Sequence, residues 1–199
     1  MRVAIGSDHA GLPLKEPLTA LLEESGHSVI DLGTYSPEPC DYPDIAERVG
    51  QAVVTQRVDR GIVLCGSAQG ASIAANKIPG IRAAVGHDTY SAHQSVEHDD
   101  ANVLCLGARV IGPSLATEIV DLWVRALYTG EERHQRRVEK VKALEHALPL
   151  IELQRAGQSA WMDNISLDLL GGEFRELIVQ GITGVTSNRS EEHTSELQS

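Results

Sequence analysis

The sequence is poor in the residues that mark several large classes of protein. Only 4% of its 199 residues are aromatic, which argues against a stacking platform for single-stranded nucleic acid. Its net charge of −11 at pH 7 disfavours binding to a phosphate backbone, which requires a basic face. Its three cysteines, Cys40, Cys65 and Cys105, are too few and too scattered for a disulfide framework or a paired zinc site.

Long apolar runs are also missing from the sequence. No stretch approaches the roughly 20 apolar residues of a membrane span, and the N-terminus enters a predicted strand without a signal peptide. The hydrophobic content of 42% and charged content of 23% are ordinary for a globular chain. We therefore expect a cytoplasmic protein, with a reducing environment for its thiols and neither nucleic acid nor membrane as a partner.

Five short apolar segments alternate with segments of helical periodicity. The segments predicted as strands are 2–6, 28–33, 61–64, 81–85 and 101–106. Leucines at helical spacing follow the first strand, and Gly26 is placed to end that helix. This alternation predicts an α/β fold in which a parallel sheet is covered by helices on both faces.

Polar residues follow several of these strands. Open parallel sheets bind ligands outside the carboxyl ends of their strands. Asp8-His9 comes after the first strand, residues 65–70 after the third, and His98-Asp99 between the fourth and fifth. We expect all three groups at one end of the sheet, where they would form an active site.

Cys65 ends the third predicted strand and has two interpretations. A free cysteine there is most often a small buried hydrophobe. However, Gly66, Gly70 and a helix beginning near Ala71 would offer backbone N–H groups and a positive dipole end, which stabilise a thiolate and bind anions. The loop matches neither the Walker lysine motif nor the dinucleotide fingerprint. Cys105 lies within a strand and is expected in the core.

The other polar residues also have structural alternatives. Asp8-His9 could be a helix N-cap and its neighbour, and His98 could lie on the surface. Residues 133–137 contain three arginines and a histidine, which could form a solvated helix face or bind an anion with planar guanidinium groups. Together with the thiol, these residues predict proton-transfer chemistry on a small phosphorylated substrate.

Several motifs resemble one family in order along residues 1–147, the ribose-5-phosphate isomerase B family. The motifs are Gly6-Ser7-Asp8-His9-Ala10-Gly11, Asp41-Tyr42-Pro43, Cys65-Gly66-Ser67, residues 72–77, residues 98–102, Gly107-Ala108-Arg109 and residues 133–137. The resemblance implies a Rossmann-like three-layer sandwich with a five-stranded parallel sheet. It also implies a homodimer or tetramer with active sites between subunits, no metal or other cofactor, and interconversion of ribose 5-phosphate and ribulose 5-phosphate.

The resemblance implies roles for individual residues. Cys65 corresponds to the base that moves a proton between C1 and C2 of the open-chain sugar. His98 and Asp8 correspond to the groups that assist ring opening, and Ser67 stands where the family has Thr or Ser. The residues implied to bind substrate or its phosphate are His9, Tyr42, Gly66, Gly70, Asp99, Arg109, Arg133 and Arg137. Of these site residues, His98 and Arg109 are expected to come from a neighbouring subunit.

Three positions depart from the family pattern. Ala68 replaces a glycine common in the loop, and Asp99 stands where an asparagine is usual. A carboxylate would repel the negative charge of an enediolate, whereas an amide could donate to it. Relatives without the cysteine use a glutamate where this chain has Ala71.

Two alternatives stay open, the first from the same superfamily and the second because of Ala68 and Asp99. One is a galactose-6-phosphate or other hexose-phosphate isomerase. The other is a non-catalytic sugar-phosphate-binding subunit.

The C-terminal part resembles a different family. Residues 157–166 and 181–188 look like the start of a bacterial transaldolase, with Asp163 and Asn188 at its motif positions. We expect an isomerase domain over 1–149, a truncated fragment of an incomplete (β/α)8 barrel over 150–188, and an artefactual tail over 189–199 that resembles a translated sequencing adapter. The fragment lacks the Schiff-base lysine, so no transaldolase activity is expected.

Overall fold

Five parallel strands form one sheet in the part of the chain that the structure, a computed structural model, describes: residues 1–155, 160–163 and 182–186, with side chains described for 1–145. These strands are β1 (Arg2–Ser7), β2 (Ser28–Asp31), β3 (Arg60–Cys65), β4 (Ala83–Val85) and β5 (Val103–Gly107). Their order is β2-β1-β3-β5-β4. The chain moves from β1 to one side and then crosses to β3, so the loops after β1 and β3 flank a switch point.

Helices follow the strands in alternation and cover both faces of the sheet. They are α1 (Leu12–Glu24), α2 (Tyr42–Val54), α3 (Gln69–Ala75), α4 (Thr89–Asp99), α5 (Pro113–Arg125) and α6 (Glu132–Arg155). Gly26, just beyond α1, has a φ of +79°, the left-handed conformation that ends a helix. The predicted Rossmann-like α/β arrangement is confirmed.

Two apolar clusters make the sheet the middle of three layers. On one face, side chains of α1, α4 and α5 such as Leu18, Val96 and Trp123 pack against Ile5 and Leu104. On the other face, α2 and α3 pack against the alternate residues of the same strands. Because neighbouring residues of a strand point to opposite faces, each buried strand contributes to both clusters, as its continuous apolar run predicts.

Two asparagines hold the short edge strand β4 in place. The Asn76 Oδ1 accepts from the Ala83 N–H at 2.8 Å, and its Nδ2 donates to the Ala83 carbonyl at 2.9 Å. Asn102 Oδ1 accepts from Arg82 N–H, and its Nδ2 donates to the Gly80 carbonyl, both at 2.8 Å. These bonds satisfy backbone groups that a sheet edge would otherwise leave unpaired.

The C-terminal region adds two further strands, β6 (Ala160–Asp163) and β7 (Ile182–Thr186), which pair in parallel. The chain divides into two compact units, Met1–Glu139 and Lys140–Ser199. This pair is all the sheet structure described in the second unit, so the barrel fragment remains a prediction, and Asn188 and residues 189–199 lie outside the described residues. Among the described residues, no helix is long and apolar enough to cross a membrane.

Candidate active site

The loops after β1, β3 and β5 are joined at the carboxyl edge of the sheet. The Asp8 N–H donates to the Leu64 carbonyl at 3.0 Å, which ties the end of β1 to the end of β3. The Arg109 N–H donates to the Gly66 carbonyl at 3.0 Å and ties β5 to the same loop. The residues following these three strands therefore share one edge.

Cys65 is the last residue of β3 and is 4% exposed. Its Sγ accepts a hydrogen bond from the Ala68 N–H at 3.1 Å. Ala68 has a φ of +68°, the left-handed region where glycine is favoured. The loop therefore follows a glycine-like path, at a cost of about 1 kcal/mol, although an alanine stands there.

Asp8 and His9 are fixed by backbone donors at the same edge. Asp8 is 5% exposed, and its Oδ1 accepts from the Ala10 and Gly11 N–H groups at 2.8 and 2.9 Å. The His9 Nδ1 accepts from the Cys40 N–H at 3.2 Å. This bond leaves the ring proton of neutral His9 on Nε2.

Two glycines of the loop are covered by side chains of the same chain. A Cβ at Gly70 would lie 2.5 Å from Cζ of Tyr42, so the Tyr42 ring lies directly on the Gly70 backbone. A Cβ at Gly66 would lie 3.5 Å from Arg109 Nε, so the exposed Arg109 side chain reaches this loop. The structure thus places Arg109 beside Gly66 of its own chain, although we expected it from a neighbouring subunit. The Ser67 side chain, between the two glycines, is exposed.

His87 was missed by the sequence analysis and lies at this edge. Cys65 pairs with Gly107 on β5, and His87 follows the end of β4 on the other side of β5. Gly107 has no side chain, and its neighbours occupy that space: a Cβ there would lie 3.0 Å from the His87 Nε2 and 2.9 Å from the Ser67 Cα. The Nε2 is buried and has no hydrogen-bond partner among the described residues.

The prediction that His98 and Asp99 lie at this same edge is wrong. They end α4, and the following segment meets the starts of the strands: Asn102 accepts from Gly61 N–H at 2.9 Å near the start of β3. Arg82, just before β4, makes an ion pair with Asp100 at 2.6 Å. A helix between parallel strands runs back along the sheet, so its last residues lie at the amino edge.

Two of the arginines predicted to bind phosphate, Arg133 and Arg137, lie on the helix that packs its His134 against His98. Thr129, just before α6, donates its N–H to the Glu97 carbonyl at 3.1 Å, which ties the start of α6 to the last turn of α4. The His134 ring in the first turns of α6 stacks on His98, with ring centroids 4.1 Å apart. Arg133 and Arg137 are exposed on the same helix.

The predicted residues therefore form two groups. The carboxyl-edge group comprises Asp8, His9, Tyr42, Cys65, Gly66, Ser67, Gly70 and Arg109. The amino-edge group comprises His98, Asp99, Arg133 and Arg137. The strand β5 between the two edges has five residues, which span about 16 Å. One chain by itself does not bring the two groups together.

The two buried thiols differ in character. Cys105 is fully buried within β5, where burial, followed by the proximity of Cys65, raises the pKa of its thiol. Cys105 therefore stays protonated and belongs to the core, as predicted. Within the described side chains, no three His, Cys, Asp or Glu residues are grouped so that they could hold a metal ion.

Comparisons with known proteins point to one family. The family model described as Ribose/Galactose Isomerase matches residues 3–141. The chain is 51% identical over 144 residues to the ribose-5-phosphate isomerase B of Escherichia coli K12, covering 72% of this chain and 96% of that protein. It is 43% identical over 150 residues to the D-erythrulose-4-phosphate isomerase of Pectobacterium atrosepticum, covering 73% and 96%.

A solved structure agrees with these relatives. The ribose-5-phosphate isomerase B of Clostridium thermocellum superposes with a TM-score of 0.71 at 50% identity, over 73% of this chain and 97% of that chain.

Gly107→Ala tests the packing at the carboxyl edge. The new Cβ would lie 2.7 Å from the Ser67 carbonyl carbon, which is backbone and cannot swing aside. We expect this overpacking to lower the free energy of unfolding by about 1–3 kcal/mol, measured by urea denaturation. Gly112→Ala is the control, because a Cβ there meets nothing within 4 Å. Equal stability of the two variants would contradict the described packing of the Ser67 loop.

Proposed function

Because the chain belongs to the ribose/galactose isomerase family, we propose that it interconverts D-ribose 5-phosphate and D-ribulose 5-phosphate. The relative at 51% identity carries the name of that activity. The observation that carries the proposal is the position of the Cys65 thiol at the carboxyl edge. Its sulfur accepts a hydrogen bond from the Ala68 N–H, next to the exposed Ser67. This N–H holds the sulfur in a fixed position at the edge where a substrate would bind.

The reaction moves one proton between adjacent carbons. The Cys65 thiolate takes the C2 proton of the open-chain aldose, the C–H electrons form a C1–C2 double bond, and O1 becomes an oxyanion. The O2 proton then moves to O1, the thiol returns its proton to C1, and O2 becomes the ketone oxygen. Backbone N–H groups from Gly66 to Gly70 would stabilise the developing charge, and the exposed Ser67 hydroxyl lies beside them.

Ring opening precedes this step, since the aldose is mostly cyclic. In our proposal Asp8 is the base that takes the proton of the anomeric hydroxyl, and His98 is the acid that protonates the ring oxygen as the C1–O bond breaks. The Asp8 carboxylate is held by two backbone N–H groups, which fixes its direction at the carboxyl edge. His98 is 28% exposed, so its ring remains open to a substrate.

Phosphate binding in this proposal needs both edges. His9 and Arg109 lie at the carboxyl edge, and Arg133 and Arg137 are exposed on α6 at the other. Arginine forks bind two phosphate oxygens at once, which suits a terminal phosphate. The Arg133 Nε is 2.9 Å from Glu131 Oε2, an exposed pair that a phosphate could replace.

Self-association follows from the separation of the two groups. A second copy of the chain would bring His98, Asp99, Arg133 and Arg137 to the Cys65 edge of the first copy. We therefore propose a homodimer, or a tetramer made of two such dimers, whose sites lie between subunits. The sugar phosphate and the second copy are the partners in this proposal, which places the protein in the cytoplasm, where its three free thiols stay reduced.

The binding-subunit alternative rests on Ala68 and Asp99. Ala68 keeps the left-handed conformation and its N–H reaches the Cys65 sulfur, so the substitution leaves the loop in a catalytic arrangement. This observation favours an isomerase over a binding subunit. Asp99 is exposed, so its carboxylate can turn away from the enediolate when a substrate binds.

Residues 150–188 carry a separate part of the proposal. Parallel strands joined in sequence need a long crossover, and β6 and β7 pair in this way. A barrel of this kind begins with two neighbouring parallel strands, so this pairing supports an origin in the start of a transaldolase barrel, with Asp163 ending its first strand. Sequencing the gene downstream of the Asn188 codon tests the idea, because a transaldolase reading frame is expected and its absence would contradict it.

Cys65→Ala tests the base. We expect turnover of ribose 5-phosphate to fall about 1,000-fold, as for loss of a general base, in a coupled assay for ribulose 5-phosphate. Cys105→Ala is the matched thiol control and keeps its activity, because Cys105 lies in the core and stays protonated. Galactose 6-phosphate and D-erythrulose 4-phosphate are assayed as alternative substrates of the wild-type protein. Faster turnover of either would contradict the pentose assignment, and no turnover of any would favour the binding subunit.

Mixing inactive variants tests the shared site. Cys65→Ala and His98→Asn change opposite edges, so a mixed dimer contains one intact site. After subunit exchange we expect about a quarter of wild-type activity, because half of the dimers are mixed and each carries one working site. Cys65→Ala mixed with Asp8→Asn is the control, since both change the same edge and no intact site can form. Recovery in the control, or none in the first mixture, would contradict sites built from two subunits.

A further inference from the structure

His134 is a buried histidine whose ring nitrogens have no evident use. The residue is 2% exposed, and neither Nδ1 nor Nε2 finds a hydrogen-bond partner in the described part of the chain. The nearest charged group is the Glu131 carboxylate, whose Oε2 is 3.6 Å from His134 Nε2, beyond hydrogen-bond distance. Buried polar groups are normally paired, so a plain core position would favour an apolar residue here.

The face of the His134 ring is used instead of its nitrogens. It stacks on His98 with centroids 4.1 Å apart and an angle of 28° between the ring planes. Offset stacking of aromatic rings is favourable in this range of distances. Of the two rings, only His98 is open to solvent, with 28% of its side chain exposed. His134 therefore covers one face of the ring that can meet a substrate.

Neighbouring residues fix the His98 ring within its plane. The Gln94 side-chain nitrogen is 3.1 Å from His98 Nδ1 and donates to it, which leaves the ring proton of neutral His98 on Nε2. The Glu97 Oε2 is 3.9 Å from that Nε2, too far to occupy it. The N–H of His98 that can act as an acid is therefore free of a hydrogen bond within the described residues.

The segment before α6 is tied to α4 by two hydrogen bonds to one backbone carbonyl. The Thr129 N–H and hydroxyl both donate to the Glu97 carbonyl, at 3.1 and 3.0 Å. This carbonyl belongs to the residue before His98, so the start of α6 is tied to the backbone that carries the ring. The stack therefore belongs to a fixed junction between α4 and α6.

We propose that His134 is a positioning residue that acts through His98. Its ring holds the His98 imidazole in the orientation in which Nε2–H can reach the sugar ring oxygen. This inference rests on the proposed function, in which His98 assists ring opening. Because neither His134 nitrogen makes a hydrogen bond within the described residues, the role belongs to the aromatic face, and phenylalanine is expected to replace it.

The test separates ring opening from proton transfer. Ribose 5-phosphate must open before it reacts. Ribulose 5-phosphate cannot close a five-membered ring, because its O5 carries the phosphate, so exchange of its C1 hydrogen with D₂O needs the base alone. We expect His134→Leu to lower kcat/KM for ribose 5-phosphate at least ~10-fold, as misplacement of a catalytic group does. We expect the exchange rate to stay within about twofold, since exchange uses the Cys65 base and not His98.

His134→Phe is the rescue variant and is expected to keep both reactions. Both variants should fold, since each fills the site and leaves no polar atom unpaired, and thermal unfolding checks this. His27→Asn is the control for loss of a histidine far from the stack. NMR supplies a readout independent of turnover: the ring current of His134 shifts the His98 ring protons upfield. We expect this shift to persist with phenylalanine and vanish with leucine.

Each outcome decides between the alternatives. Equal loss of both reactions in folded His134→Leu would show a general structural role and overturn the inference. Full activity in His134→Leu, or equal loss in His134→Phe and His134→Leu, would overturn it as well. Wild-type protein without turnover of ribose 5-phosphate would contradict the proposed function, and the role of His98 with it. If the wild type turns over ribose 5-phosphate and the His134 variants give any of the results that overturn the inference, only the role of His134 is contradicted.

Discussion

Parallel strands oblige the chain to return along a helix after each strand, and this requirement sorts the polar residues into two sets. Residues that directly follow a strand, such as Asp8 and Cys65, lie at the carboxyl edge. Residues that end a helix, such as His98, lie at the amino edge. The inner strands β1, β3 and β5 lie between the two sets and are buried almost throughout, so the two sets stay apart. The proposed chemistry, phosphate binding and self-association all follow from this separation.

Missing side chains shape the carboxyl edge as much as the catalytic groups do. Gly70 admits the Tyr42 ring directly against its backbone. The Ser67 backbone and His87 pack into the space that a side chain at Gly107 would fill. A single methyl group at Gly70 or Gly107 would lie within 3.0 Å of these neighbours. The loop therefore owes its position to the close approach that glycine allows, while Ala68 shows that one left-handed position tolerates a small side chain.

Local patterns were enough to predict most of the fold and the carboxyl-edge half of the site. The apolar runs located the five strands, and Gly26 marked the end of α1. Asp8 and Cys65 were placed correctly because each directly follows a strand. His98 was placed at the wrong edge, because its position after the fourth strand was considered without the direction of the helix between.

The remaining features depend on contacts between distant segments. His87 comes close to the loop after β3 because Gly107 on the neighbouring strand has no side chain. This closeness depends on the sheet register, which no local motif contains. The stacking of His98 on His134 joins α4 and α6, which are separated in sequence by β5 and α5. Within residues 133–137, the pattern predicted a basic cluster but could not show that His134 is turned inward while its neighbours are exposed.

The placement of two half-sites on opposite edges has a consequence for symmetry. Copies joined head to tail would leave one unused half-site at each end of the row, and would grow into filaments unless the ring closed. A two-fold pair leaves no unused half, because each copy gives and receives the same set of residues. In the proposed assembly, a closed two-fold pair is thus the smallest arrangement in which each Cys65 lies beside a His98.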